Sequence, residues 1–201
     1  MKTIMRLLSA FDKKTLPAFM VLFLLAVGCS KDQKSAEPQG PINIFTTQFP
    51  TGPTQNDNLG GIELGVKFRS LVPGFVDGIR FYKTKGNTGT HTGELYTMAG
   101  SLLASKAFTA ETDSGWQSVT FDNPVSIDAN TTYIAAYHSS LGNYVSFAKG
   151  FTTAIVNSPL TGLADGTDGA NGLYRYTNSP AVPDSGFIAN NYWVDLIFHG
   201  K

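Results

Sequence analysis

Side-chain oxygens recur at every third position of Asp165-Gly166-Thr167-Asp168-Gly169-Ala170-Asn171-Gly172, at Asp165, Asp168 and Asn171. The interleaved glycines let backbone carbonyls turn inward, so the run could offer calcium part of an oxygen shell. Calcium takes about 6 to 8 oxygens, and the spacing and terminal Glu of an EF-hand are missing, so other segments would have to complete that shell. The same residues also read as successive Asx turns that need no metal.

Aromatic residues offer a second chemistry. Tyr174 and Tyr176 fall on one face of a short predicted strand, with Leu173 and Arg175 on the other. In residues 191–199, Tyr192, Val194, Leu196 and Phe198 form an apolar core face, which leaves Trp193 and Asp195 opposite. An outward Trp beside an acid gives a flat stacking surface and a hydrogen-bond acceptor, as a sugar ring or a peptide requires. The competing reading covers Trp193 with a neighbouring loop, since large aromatics are mostly buried. Trp116 reads as packing at a strand start.

Signatures of catalysis are missing. The chain has no G-x-S-x-G, no H-E-x-x-H and no P-loop. His91, His138 and His199 do not form a set by spacing, and Glu63, Asp77, Glu94, Asp122 and Asp195 read as solvent faces or strand ends. The polar loop 84–92, with Lys85, Asn87, Thr88, Thr90 and His91, is either a recognition surface or a wide connection closed by Gly86, Gly89 and Gly93. The expectation is a protein that is not an enzyme.

The elements that must position these groups have period two. Ile62, Leu64, Val66 and Phe68 alternate with Glu63, Lys67 and Arg69, the pattern of a half-buried strand. Residues 75–82 alternate less regularly, with a kink expected at Gly78. Further strands are predicted at 93–98, 102–109, 116–121, 131–138, 143–148, 173–176 and 191–199. Turn signals separate them at 99–101, 113–115, 122–124, 128–130 and 141–143. Short strands with such punctuation predict an all-β antiparallel sandwich or barrel over residues 42–201 as a single domain, and the fold expected is the antiparallel two-sheet β-sandwich, jelly-roll-like. A helical turn fits only around 158–164.

The front of the chain carries Lys2, Arg6, Lys13 and Lys14, then the apolar run AFMVLFLLAVG, too short to cross a bilayer. Leu25-Ala26-Val27-Gly28-Cys29 follows, and then SKDQKSAEPQGP. This resembles the lipobox of bacterial lipoproteins, with Ala26 where Leu is more usual. The resemblance implies a signal peptide over 1–28, a lipid on Cys29 as first residue of the mature protein, and a flexible tether over 29–41. It implies attachment to a membrane, with Ser30 favouring the outer one, so the domain is expected in the cell envelope, periplasmic or surface-exposed. Cys29 is the only cysteine, so no disulfide can form within the domain. Removing residues 1–28 takes four bases and one acid from 15 and 15, leaving 11 and 14 and a net charge of −3. That balance argues against nucleic acid as a partner.

Seven segments carry a wider likeness: ELGVKFRS (63–70), GIRFYK (78–83), GNTGTHTGELY (86–96), GWQSVTF (115–121), TTYIAAY (131–137), LADGTDGANGLYRY (163–176) and NYWVDLIF (191–198). In order and spacing they resemble the bacterial extracellular module known as the domain of unknown function 4082 family. The resemblance covers nearly all of the chain from about Ile44 onward. It implies a β-sandwich of the kind attached to secreted and surface proteins, often beside immunoglobulin-like or carbohydrate-related domains, here expected alone on a lipid anchor. The family has no settled activity and supplies no catalytic residues. The function expected is a non-catalytic envelope module that binds glycan or another extracellular ligand. Docking of an envelope protein is the alternative, and a hydrolase with carboxylates from separate strands is a third reading.

Overall fold

The computed structural model describes residues 40–201. The expected signal peptide, Cys29 and most of the expected tether lie outside the described residues.

Alternation of apolar and polar side chains builds strands from one end of this region to the other. In chain order, β1 (Gln55–Asn56), β2 (Ile62–Ser70), β3 (Gly74–Lys83), β4 (His91–Thr97) and β5 (Leu102–Ala107) come first. Next are β6 (Gly115–Ile127), β7 (Tyr133–Ser139), β8 (Asn143–Tyr144), β9 (Ile155–Asn157) and β10 (Leu160–Gly162). β11 (Leu173–Tyr176), β12 (Ser185–Gly186) and β13 (Val194–Gly200) complete the set.

Two sheets form an all-β antiparallel sandwich. The larger runs β12-β11-β2-β7-β4-β5, with the β9–β10 hairpin attached to β2, and the smaller runs β13-β3-β6. A separate ribbon pairs β1 with β8, Gln55 opposite Tyr144. Between the sheets, Leu64, Val66 and Phe68 of β2 join Ile79 and Phe81 of β3 and Leu196 and Phe198 of β13 in one apolar core. Tyr137 stacks on Phe81 with ring centroids 4.2 Å apart. Fully burying each such aliphatic or aromatic side chain contributes about 1.5 to 3 kcal/mol.

Three sequence expectations change here. The segment 158–164 contains no helical turn; Leu160 is fully buried and pairs with Ser70, which draws the segment onto β2 as a strand. The turn signal at 122–124 does not end β6, which continues to Ile127. Gly78 pairs with Thr120 and Val76 with Val125, so residues 121–124 form the long side of an irregularity opposite Asp77. β6 is an edge strand, where Pro124 removes no needed ladder hydrogen bond. The expected kink at Gly78 lies at this same irregularity, where a Cβ would overlap the Val119 carbonyl.

The third change concerns the outer faces. Glu63 and Lys67, expected toward solvent, are buried. The chain after β11 crosses their face: Ala181 N–H donates to Glu63 Oε2 at 3.4 Å, and Val182 packs with Tyr96, Ile134 and Leu173. Pro183 sits close over Gly65, where a Cβ would approach it to 2.9 Å.

Candidate functional site

One end of the larger sheet carries a cluster of tyrosines. On β11, Tyr174 and Tyr176 are two residues apart and so share a face, their rings meeting edge to face at 5.6 Å. The β1–β8 ribbon brings Tyr144 and, just after β1, Asp57 beside them. Tyr144 and Tyr176 both donate their hydroxyls to Asp57 Oδ2, at 2.7 and 2.8 Å.

The opposite wall comes from the turn before β13. Ile188 and Ala189 take positive φ values of 43° and 55°, reversing the chain so that Asn190 N–H donates to the Phe187 carbonyl at 3.0 Å. Gly172, itself at φ 73°, lies under this turn, and a Cβ there would overlap the Asn190 carbonyl oxygen. Only glycine combines that φ with so close an approach. The turn therefore seats against the start of β11. Tyr192 packs edge to face on Tyr144 at 5.7 Å, and Asn190 Nδ2 reaches the Tyr192 hydroxyl at 3.5 Å.

These walls enclose a cleft of about 350 Å³, in the lower part of the range for small-molecule sites. Gln55, Ile62 and the exposed Phe187 complete its lining. Asn190 is buried, and its Oδ1 has no hydrogen-bond partner among the described residues. A buried amide oxygen left unpaired costs about 1 to 3 kcal/mol, a cost that a donor on a ligand would remove. Burial, then the hydrogen bond to Asp57 and its charge, raise both Tyr144 and Tyr176, the latter to about 12. Both hydroxyls therefore stay protonated as donors to Asp57.

Trp193 and Asp195 are elsewhere; of the two readings for Trp193 the structure has the covered one, and the outward placement beside Asp195 is corrected. Trp193, at φ 56° just before β13, belongs to the main apolar core, and Asp195 is covered by the segment carrying Ile44 and Phe45. Ile44 and Phe45 donate their N–H groups to Asp195 Oδ1 and Oδ2 at 2.7 and 3.0 Å, and Arg80 donates Nε and Nη2 to Oδ2 at 2.9 and 2.7 Å. Phe45 packs on Trp193 at 5.2 Å and on Trp116 at 5.8 Å, and the Arg80 guanidinium lies 4.2 Å from the Trp116 ring centroid. Trp193, at 7% exposure, and Asp195, at 0%, offer no stacking surface.

The oxygens of the Asp165 to Gly172 run are engaged with protein donors. Asn171 Oδ1 accepts from the N–H groups of Lys67 and Gly172, and Asp165 Oδ1 accepts from Asn171 N–H. Asp168 Oδ2 accepts from Thr132 and from Arg69 Nη2, and these partners hold its carboxyl below the usual aspartate range. Lys67 Nζ donates to the Asp168 carbonyl at 2.6 Å. The three side chains thus each accept from a different protein donor, and Arg69 and Lys67 are the cations beside the loop.

The remaining sequence candidates are dispersed. In loop 84–92, Asn87 is buried and its Oδ1 contacts His91 Nε2 at 2.9 Å, while His91 Nδ1 lies 2.9 Å from Glu111 Oε2. His138 contacts the Thr177 carbonyl and His199 pairs with Asp77. Loop 84–92 is thus tied down by packing beneath it. Of the four residues expected to touch a ligand, Tyr174 and Tyr176 line the cleft and Trp193 and Asp195 do not. Asp57, Tyr144 and Asn190 were not foreseen as site residues; the polar run Gln55-Asn56-Asp57-Asn58 was their one visible signal.

A family model described as a domain of unknown function (DUF4082) matches residues 47–194, a stretch that contains every cleft residue named above. No curated protein matches the chain.

Proposed function

Because the chain belongs to the DUF4082 family, a domain of unknown function, we propose its role from the tyrosine cleft: it is a non-catalytic cell-envelope module that binds glycan. The observation that carries this reading is the buried, unpaired Asn190 Oδ1 inside a cleft walled by Tyr144, Tyr174, Tyr176 and Tyr192. Tyrosine faces stack on the apolar faces of a sugar ring, while hydroxyls and amides meet its hydroxyl groups. Asp57 is the one carboxylate lining this cleft among the described residues, and two-carboxylate glycoside hydrolysis needs a second.

A glycan array followed by calorimetry tests the reading. We expect binding to at least one polysaccharide class, and a loss of roughly tenfold or more in affinity for Tyr176→Ala, the size of effect seen when a contacting aromatic is truncated. The melting temperature should hardly move, since Tyr176 is 41% exposed. Folded protein that is silent on every glycan overturns it. Docking of an envelope protein is the second reading, favoured by the exposed apolar side chains Phe147, Phe187 and Ile188 near the cleft. One stoichiometric partner retained from envelope extract, without glycan binding, would support docking instead.

Attachment through a lipid on Cys29 is part of the proposal, resting on the lipobox-like run before it. Cys29→Ala should abolish lipidation and the processing that follows it. Processing and membrane association both unchanged would remove this part and leave the cleft untouched.

A further inference from the structure

If the cleft is a glycan site, the groups its walls leave free specify which glycan. Asp57 brings a carboxylate whose Oδ2 is taken by two tyrosine hydroxyls, while its Oδ1 has no partner among the described residues and the residue is exposed. Asn190 Oδ1 is a second free acceptor, buried and without a partner. Gln55 contributes an amide whose Oε1 already accepts from Ser146 at 3.0 Å. Among the described residues that line the cleft there is no Lys, Arg or His.

Asp57 and Asn190 therefore line the same cleft as the tyrosine rings, with no cation among the described lining residues to balance the carboxylate. We propose that the cleft recognises an amino sugar through its free, protonated amine. An ammonium group carries three donors and one charge, and it meets Asp57 as counter-ion, Asn190 Oδ1 as acceptor and tyrosine faces as cation–π partners. The sugar ring then rests against Tyr174 and Tyr176. An N-acetylated sugar lacks the charge and two of the donors, and an acidic sugar brings a charge that Asp57 repels.

This inference rests on the glycan reading, and the test separates the two. Calorimetry at about pH 6, where the amine is protonated, compares oligomers of glucosamine, of N-acetylglucosamine and of galacturonic acid, together with a lysyl peptide. The glucosamine oligomer should bind roughly tenfold more tightly than its N-acetylated counterpart, with no binding of the acidic one. Asp57→Asn should erase that preference, and added salt should erode it in the native protein. Equal affinity for the acetylated and free amines, unaffected by Asp57→Asn, overturns the amine assignment while the glycan reading stands. Binding of the lysyl peptide alone, dependent on Asp57, overturns the sugar as the source of the amine, and the glycan reading with it. Failure of every ligand, with the protein folded, overturns both.

Discussion

Asp195→Ala is expected to remove about 3 to 5 kcal/mol of stability, the cost of breaking a buried ion pair from one side. The carboxylate does three jobs at once. It accepts the N–H groups of Ile44 and Phe45, it pairs with Arg80, and it accepts its neighbour Leu196 N–H at 2.8 Å. Burial raises its pKa, against the pull of Arg80 and those backbone donors. With alanine, Arg80 keeps the Phe45 carbonyl and the face of Trp116 but loses its counter-ion in a site where its side chain is 14% exposed. The segment carrying Ile44 and Phe45 then loses its anchor on β13, and Phe45 its place between Trp116 and Trp193. Urea unfolding should show the loss as a lower midpoint with a similar slope. A loss below about 1 kcal/mol would mean that packing alone holds the segment, as at an ordinary exposed pair.

Stability should fall as pH rises across the neutral range, and Glu63→Gln should remove much of that fall. Glu63 and Glu94 are both fully buried on the outer face of the larger sheet, near enough for the charge of Glu94 to raise Glu63. Glu63 Oε1 and Glu94 Oε2 have no hydrogen-bond partner among the described residues, so nothing there compensates a buried negative charge. Burial, then the charge of Glu94, push Glu63 up to about 11, and burial pushes Glu94 up to about 7. The sign follows from proton counts. Above the ordinary value of 4.5 the unfolded chain releases both protons while the folded chain holds them, so folding is favoured less as pH rises. The contribution is whole below 4.5 and is lost through about 7 for Glu94 and on toward 11 for Glu63.

Other groups enter the same window. His91, lowered by burial, acts oppositely as pH falls through its ordinary range, and Tyr96, raised by burial and by the two glutamates, stays neutral. Native and Glu63→Gln proteins share both, so the difference between their melting curves from pH 5 to about pH 9 isolates the acid pair. In the variant the glutamine amide can donate to Glu94 while its oxygen still accepts from Ala181 N–H. Parallel curves for the two proteins would sink the account of buried, protonated acids.

Much of the strand framework was legible because it is local. Side chains alternate across a strand, so Leu64, Val66 and Phe68, or Leu196 and Phe198, identify their own core faces without knowledge of any partner. Tyr174 and Tyr176 were placed together by the same rule. The short strands β1, β9, β10 and β12 were not, since two or three residues carry no period and exist only through their neighbours. The turn residues at 122–124 misled for a related reason: on an edge strand an irregularity accepts the same residues as a turn.

Alternation names the face of a side chain but not what lies over that face. The sequence by itself determined the antiparallel sandwich, the position of the Gly78 irregularity and the pairing of Tyr174 with Tyr176. Only the tertiary structure decided that Trp193 and Asp195 are sealed under residues 42–45, that Glu63 and Glu94 are buried beneath the chain following β11, and that a cleft exists at all. Asp57 meets Tyr144 across 87 residues and Tyr176 across 119, and Asn190 reaches them only because Gly172 admits its backbone. Such contacts depend on which distant segment folds over which face, and no local spacing encodes that.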